Sequence, residues 1–400
     1  MILKDIFEIL QLVAYLYITA IVVELLILAI ASLFPYHPKL VDDGYFRKIA
    51  LFVPAYSEDE VIYEVIKSAT EQKYPKERYD IIVIADHFRK ETLEKLRKLD
   101  IILLAKDFEI STKSRALNYA LQKLPEHYEI ACILDADNIM QIDFLSYINR
   151  SFAAGYKVVQ GHRTAKNLNT NFAYLDAISE EINNNLFRKG FRNLGMASSL
   201  IGSAMAFDYH LFKNMMATVE VVGGFDKEIE MRLIRQKITT EYLPKVYVYD
   251  EKVQNAEVFT KQRRRWLSAQ FHFFGKNFVP AFKSLFTEGN IEYFFKAMSY
   301  IQLPRILLLA FLIVAVPVSY FINPPVWTIA WGFDLIAIIL VFLLSIPRKF
   351  YNKRLIKALV TIPKGMVMMT VSLVSLHQAN RKFLHTKHTY NAFQIKKKRK

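Results

Sequence analysis

The run Ile130–Asn138, IACILDADN, decides how this chain is read. Five uncharged residues without a polar break form a strand too apolar for a sheet with one wet face. Asp135 and Asp137 then close it, and residues two apart on a strand project the same way, past one sheet edge. Working outward, the pattern repeats in IALFVPAY (Ile49–Tyr56), IIVIAD (Ile81–Asp86) and IILLAK (Ile101–Lys106). Between these runs lie stretches of helical period, EDEVIYEVIKSATEQ, ETLEKLRKLD and KSRALNYALQKL. Continuous apolar strands alternating with helices predict an α/β domain whose parallel sheet is covered on both faces. Ligands of such sheets sit beyond the carboxyl ends of the strands. Tyr56, Asp86, Asp135 and Asp137 are therefore the residues to follow.

The chain has 400 residues, 53% of them hydrophobic and 23% charged, a mixture that predicts a soluble domain with membrane segments attached. Its formal charge of +15 calls for an anionic partner: nucleic acid, a phosphate-bearing small molecule or an anionic bilayer. No sequence pattern of a nucleic-acid-binding fold is present, which sets the first aside. The single cysteine, Cys132, excludes an intramolecular disulfide and reads as a buried strand residue.

The apolar run Ile9–Phe34, at about 26 residues, is long enough to cross a hydrocarbon layer, with Glu24 its one charge. Its apolar part is too long for a signal peptide, and no cleavage site of small residues follows. Two further spans are expected at 306–322 and 326–346, followed by the basic loop RKFYNKR (Arg348–Arg354) of cytoplasmic type. The stretch 359–376 is expected to be re-entrant or interfacial, since a third span would put the basic tail opposite that loop. AQFHFFGKNFVPAFKSLF (Ala269–Phe286) mixes aromatics with lysines and reads as an interfacial amphipathic helix. The expected division is a transmembrane helix at 1–36, the α/β domain at 45–268 and interfacial helices at 269–300. A transmembrane or re-entrant region at 301–385 and a basic tail at 386–400 complete it.

Carboxylates placed like Asp135 and Asp137 suit Mg²⁺ or Mn²⁺, which then bridges phosphate oxygens, although Asp-x-Asp also ends ordinary turns. Asp86 is either a hydrogen-bond acceptor for a base or ribose or the N-cap of the next helix. Lys113 and Arg115 open a helix, where the dipole disfavours cations unless an anion is near. GGFDKEIEMRL puts Asp226, Glu228 and Glu230 around a glycine turn entering a helix. They are candidates for a general base, or complements of the helix dipole. KQRRRW (Lys261–Trp266) sets three arginines before an indole where the chain turns apolar, so its anion is sought at a membrane surface.

VPAYSEDEVI, IVIADHFRKET, KSRALNYAL, ILDADN, GSAMAF, GGFDKEIEMRL and QRRRW, in this order, resemble the membrane-bound family-2 glycosyltransferases. These include the bacterial cellulose-, chitin- and hyaluronan-synthase-like enzymes. The resemblance spans roughly residues 48–270. It implies a GT-A nucleotide-diphospho-sugar domain, with Pro54, Ala55, Tyr56 and Glu58 lining a uridine site and Asp86 near the base. Lys113 would lie close to the nucleotide-sugar. Asp135 and Asp137 match the family's Asp-x-Asp, Asp137 being the expected direct ligand of Mg²⁺ or Mn²⁺. Gly202 and Ser203 resemble the loop below the acceptor's terminal sugar. Gln262 and Arg265 would face the pyrophosphate, with Trp266 stacked on acceptor sugar and Arg263 and Arg264 left to solvent or lipid phosphates.

One departure from the family pattern is Asp226-Lys227-Glu228 where Thr-Glu-Asp is usual. Glu228 best matches the base position, with Asp226 and Glu230 as rivals. The resemblance implies an inverting, metal-dependent transfer from a nucleotide-sugar, expected to be a UDP-sugar, to a growing polysaccharide. The expected setting is a bacterial inner membrane with the catalytic domain cytoplasmic. Transfer of one sugar to a lipid acceptor is the alternative within that class, and a non-catalytic nucleotide sensor is the alternative outside it. No nucleic-acid partner is expected.

Overall fold

The computed structural model describes residues 2–374 except 220 and 222, so the basic tail and the last residues of the 359–376 stretch lie outside the described residues. Helix α1 (Ile2–Leu33) leads into β1 (Ile49–Tyr56), α2 (Ile62–Ala69), β2 (Tyr79–Asp86), α3 (Lys90–Leu96) and β3 (Ile102–Ala105). There follow α4 (Lys113–Lys123), β4 (Ile130–Ile133), β5 (Ile139–Met140), α5 (Phe144–Ala153) and β6 (Val158–Ala165). A helical excursion comes next: α6 (Asn171–Asn184), a π-helical turn (Asn185–Gly190) and α7 (Phe191–Asn193). β7 (Met205–Asp208), α8 (Tyr209–Met216), α9 (Phe225–Arg235) and β8 (Thr240–Asp250) complete the sheet.

The strand order is β3-β2-β1-β4-β7-β6-β8-β5. β1, β2, β3 and β4 pair in parallel, as the apolar runs predict. The rest corrects the expectation of a wholly parallel sheet. β7 runs antiparallel between β4 and β6, and β5 runs antiparallel to β8. The cause is connectivity. The excursion after β6 leaves and rejoins the sheet at one edge, so β7 comes back reversed, whereas a parallel return needs a crossover.

β1 explains why its sequence has no polar beat. Ile49, Leu51 and Val53 pack on one face with Ile62, Ile66 and Leu96, while Ala50 and Phe52 pack on the other with Leu117, Leu121 and Phe212. Both faces are dry, so both sets must be apolar. Cys132 lies in the first of these cores, and burial pushes its thiol up, away from reactivity.

Among the described residues, three helices are long and apolar enough to cross a membrane: Glu8–Leu33 within α1, α12 (Arg305–Ile322) and α13 (Pro325–Ser345). α1 packs against α6, the π turn and α13 through Leu25, Leu28, Ile182, Leu186 and Ile338. The approach is close at Gly190, where a methyl would meet the Leu28 carbonyl oxygen at 2.7 Å. Glu24, the one charge of the predicted span, accepts a hydrogen bond from the Gln302 side chain at 2.6 Å. α10 (Ala256–Glu288) is one unbroken helix across residue 268, and α11 (Ile291–Ser299) folds back on it. The chain after α13 forms a bent pair, α14 (Lys353–Leu359) and α15 (Ile362–Val374), with 45° between the two axes.

Candidate active site

The carboxyl ends of β1, β2 and β4 arrive side by side. Tyr56 stands in register with Asp86, and Phe52 with Ile133. The residues just after β1 and β2, Ser57 and His87, both take positive φ (52° and 56°), so each strand stops in a sharp turn. Above these ends lies a cavity of about 950 Å³. Pro54, Ala55, Tyr56, Glu58, Asp86, Lys113, Asp135 and Asp137 all line it.

Asp86 is buried, and its Oδ1 accepts the Phe108 backbone N–H at 3.1 Å and lies 2.6 Å from His87 Nδ1. This removes its N-cap role, because Arg89 occupies that position of α3. Asp86, His87 and Asp107 bring ligand-type atoms within 4.8 Å of one another. Asp107 already accepts the His87 N–H at 2.8 Å, so these contacts tie the end of β2 to the segment after β3.

The Asp-x-Asp turn is held from three sides. Asp137 is buried and accepts from the Glu251 N–H at 2.7 Å and from Asn138 Nδ2 at 3.0 Å. Ser203 Oγ accepts the Asp135 N–H at 3.2 Å and donates to Asn138 Oδ1. Lys113 donates to the Asp135 carboxylate and, at 2.5 Å, to the Gly202 carbonyl. Beside them, burial pushes the Asp250 carboxyl up against the opposing pull of Lys252 and Arg163, which pair with it at 2.7 Å and 3.3 Å, and the charge of Asp137 adds to the rise. Hard oxygen donors fixed one residue apart and crowded by like charge fit a small divalent cation.

Two expectations are corrected here. Ser203 is fully buried beneath Asp135 and braces that turn, whereas Gly202 alone of the pair lines the cavity. Glu228 does not line it either. Its carboxylate pairs with Arg232 Nε at 2.8 Å and Lys276 Nζ at 2.7 Å, and despite burial these contacts hold it below its ordinary range. Asp226 and Glu230 do face the cavity. A Cβ at Gly202, where φ is +82°, would meet the Asp226 carboxyl carbon at 3.8 Å. Glu230 pairs with Lys296 at 2.7 Å and accepts from Tyr300 at 3.3 Å. Helical phase is the reason. Residues 226 and 230 lie on one face of α9, while 228 is about 200° round the axis.

α10 brings Gln262, Arg265 and Trp266 to the cavity. Burial pulls the Arg265 guanidinium down, against the opposing fields of Asp135 and Asp226, which line the same cavity. Arg263, expected to face outward, also lines the cavity. It pairs with Asp176 at 2.6 Å, and its guanidinium lies 4.4 Å from the Trp266 ring centre. Sequence reasoning missed Arg163, Arg188, Asp250, Lys296 and Arg305, all of which line the cavity. They come from five separate elements with no common motif, and the only prior signal was charge inside apolar surroundings.

A parallel half-sheet with an Asp-x-Asp turn at its carboxyl edge, followed by a mixed second half in which β7 and β5 are reversed, is the GT-A arrangement. The comparisons agree. Residues 47–269 match the model of the family described as glycosyltransferase like family 2, and the chain belongs to that family. It is 22% identical over 232 residues to a probable glycosyltransferase, YdaM, of Bacillus subtilis (strain 168). That match takes in 55% of this chain and 54% of YdaM, so about half of the curated relative's length is spanned. Among solved structures, the mannosyltransferase PcManGT from Pyrobaculum calidifontis, in complex with GDP-Man and Mn²⁺, aligns with 82% of this chain and 97% of its own. Its TM-score is 0.49 and its identity 18%. Glucosyl-3-phosphoglycerate synthase from Mycobacterium tuberculosis, with Mn²⁺ and UDP, aligns over 56% of this chain and 80% of its own, at TM-score 0.39 and 14% identity.

Proposed function

We propose that this protein is an inverting glycosyltransferase that takes a sugar from a nucleoside-diphosphate donor and gives it to an acceptor at the membrane surface. The observation that carries the reading is the single cavity joining the ends of β1, β2 and β4 to Asp226, Gln262 and Arg265. Pro54, Ala55, Tyr56, Glu58 and Asp86 take the nucleoside, and Lys113, Gln262 and Arg265 the diphosphate. Asp137, with Asp135, would hold Mg²⁺ or Mn²⁺, which supplies positive charge to the leaving diphosphate. Asp226 replaces Glu228 as our base. It takes the proton of the acceptor hydroxyl as that oxygen attacks the anomeric carbon and the bond to the diphosphate breaks. Attack from the face opposite the leaving group inverts the anomeric centre.

The membrane reading rests on α1, α12 and α13. Lys349, in the basic loop after α13, pairs with Glu181 of the catalytic domain at 2.8 Å, and Tyr174 donates to the Phe350 carbonyl at 3.0 Å. Basic loop and domain thus share a side, which the positive-inside rule makes cytoplasmic. The exposed aromatics Phe278, Phe282 and Phe286 of α10 suit the bilayer interface. Polysaccharide extension is favoured by Gln262, Arg265 and Trp266 meeting in one cavity. Against it, one face of the indole is covered by Arg263. The test is a screen of UDP- and GDP-sugars with Mg²⁺ or Mn²⁺ on the full-length protein in lipid. The expected result is metal-dependent release of nucleoside diphosphate. Absence of release from every donor would sink the reading.

A further inference from the structure

Arg163 lines the cavity, and the transfer chemistry above gives it no part. It stands on β6 with its side chain 12% exposed, and its nitrogens go to three different acids. Nη2 donates to Glu180 of α6 at 2.9 Å, and Nε lies 3.3 Å from Asp250 at the end of β8. Nη1 lies 4.0 Å from Asp135 and donates to the Ile201 carbonyl at 3.4 Å. An arginine that only closes an ion pair commonly sets both prongs on one carboxylate. This one is divided among four segments of the chain.

Those segments hold the Asp-x-Asp turn. Asp250 precedes Glu251, whose N–H fixes the Asp137 carboxylate at 2.7 Å. The Asp250 carbonyl accepts the Lys166 N–H at 2.7 Å, and the Lys166 ammonium reaches back to the Asp137 carbonyl at 3.3 Å. Ile201 precedes Gly202, whose carbonyl accepts from Lys113, the partner of Asp135. Arg163 thus touches Asp135 directly and reaches Asp137 through Asp250 and Glu251. Glu180 braces it from behind, shared with Arg188 at 3.6 Å and Lys252 at 3.8 Å. Without the guanidinium, Asp135, Asp250 and Glu180 would surround its place with one sign of charge, and their repulsion would open the site.

We propose that Arg163 is a positioning residue for the Asp-x-Asp turn. Its fork sets the spacing and direction of the Asp135 and Asp137 carboxylates for Mg²⁺ or Mn²⁺, and it makes no bond to the substrate itself. This rests on the metal-dependent transferase reading above. Residues that orient a metal's ligands from behind change metal affinity or rate by about 10- to 100-fold when lost. The role needs shape as well as charge, since a lysine offers one point of attachment where the planar fork reaches several.

The experiment is Mn²⁺ binding to the full-length protein in detergent, with UDP and GDP tried in parallel and no acceptor present. Calorimetry gives the affinity, and the EPR spectrum of the bound ion reports its surroundings. Arg163→Lys keeps the charge and should weaken Mn²⁺ binding about tenfold or more, with an altered spectrum. Nucleotide affinity measured in EDTA should stay unchanged. Glu180→Gln leaves Arg163 in place without its closest anchor and should shift Mn²⁺ binding the same way by a smaller factor. It serves as the test if the Arg163 variant does not fold. A lower melting temperature with Mn²⁺ affinity and spectrum as in the wild type would overturn the proposal. So would loss of nucleotide affinity in EDTA, which would make Arg163 a substrate ligand. Sugar transfer by a wild type that binds no Mn²⁺ or Mg²⁺ would remove the role of Arg163 and keep the transferase. The expected Mn²⁺ shifts in a protein that turns over no donor would keep Arg163 and sink the transferase.

Discussion

Glu228 and Lys276 meet at 2.7 Å off the cavity, while Asp226, half a helical turn earlier, faces it. The acid engaged by cations is the one the family pattern points to, and the acid that faces the cavity stands two residues before it. Asp226→Asn should therefore lower the transfer rate by roughly 10²- to 10⁴-fold with donor binding retained. Glu228→Gln should keep most of the rate. Comparing kcat for the two variants decides, and a dead Glu228→Gln beside an active Asp226→Asn would reverse the assignment.

Asp137 is anchored by the Glu251 N–H at 2.7 Å, so its position survives in an amide but its charge does not. Asp137→Asn should fold normally and need far more Mn²⁺ to release nucleoside diphosphate, with turnover down at least about 10²-fold. A metal titration of the wild type and the variant, read beside thermal melts, checks both halves.

Arg265 lies under the opposing fields of Asp135 and Asp226 in a buried position. Arg265→Lys keeps the charge and loses the planar fork. The donor KM should rise about 10- to 100-fold with a smaller change in kcat. Equal donor KM in both proteins would move the diphosphate elsewhere.

Glu181 joins the catalytic domain to the loop after α13. It pairs with His162 at 3.0 Å and Lys349 at 2.8 Å. Burial works against ionisation, yet these two partners hold the carboxyl down at about 2, below its ordinary 4.5. The sign follows. A depressed folded-state value stabilises the fold above about pH 4.5, and that stabilisation is lost as pH falls toward 2. Glu181→Gln should cost on the order of 3 kcal/mol near pH 7 and much less near pH 3. Melting the full-length protein across this range tests it, and an unchanged gap at low pH would contradict it.

Much of the catalytic half was legible from the sequence because its strands are buried on both faces. IALFVPAY and IIVIAD carry no polar beat, and their last residues, Tyr56 and Asp86, sit where a parallel sheet puts its ligand. The two reversed strands of the mixed half were not legible. β5 has two residues and β7 four, too short to show a period, and the direction of β7 is set by the excursion between β6 and β7. At α9 the spacing of the acids carries the signal. Asp226 and Glu230 are four apart and share a face, which excludes Glu228 from it. The arginines at 188, 263 and 305 come from the π turn, α10 and α12 and share one cavity wall only through tertiary packing, which no local spacing encodes.

α10 has a mechanical consequence. Trp266 and Phe286 sit on one uninterrupted helix, about 30 Å apart along its axis. Phe286 is 74% exposed at the end we place on the bilayer, while Trp266 and Arg265 line the cavity where we place the sugar. The helix is thus a lever with the lipid at one arm and the chemistry at the other. A tilt of about ten degrees at the bilayer moves the far end by about 5 Å, where a misplacement of about 1 Å can cost a factor of 10² in rate. On the proposed membrane reading, bilayer thickness and headgroup packing become kinetic variables of the transfer, and its turnover a gauge of the surrounding membrane.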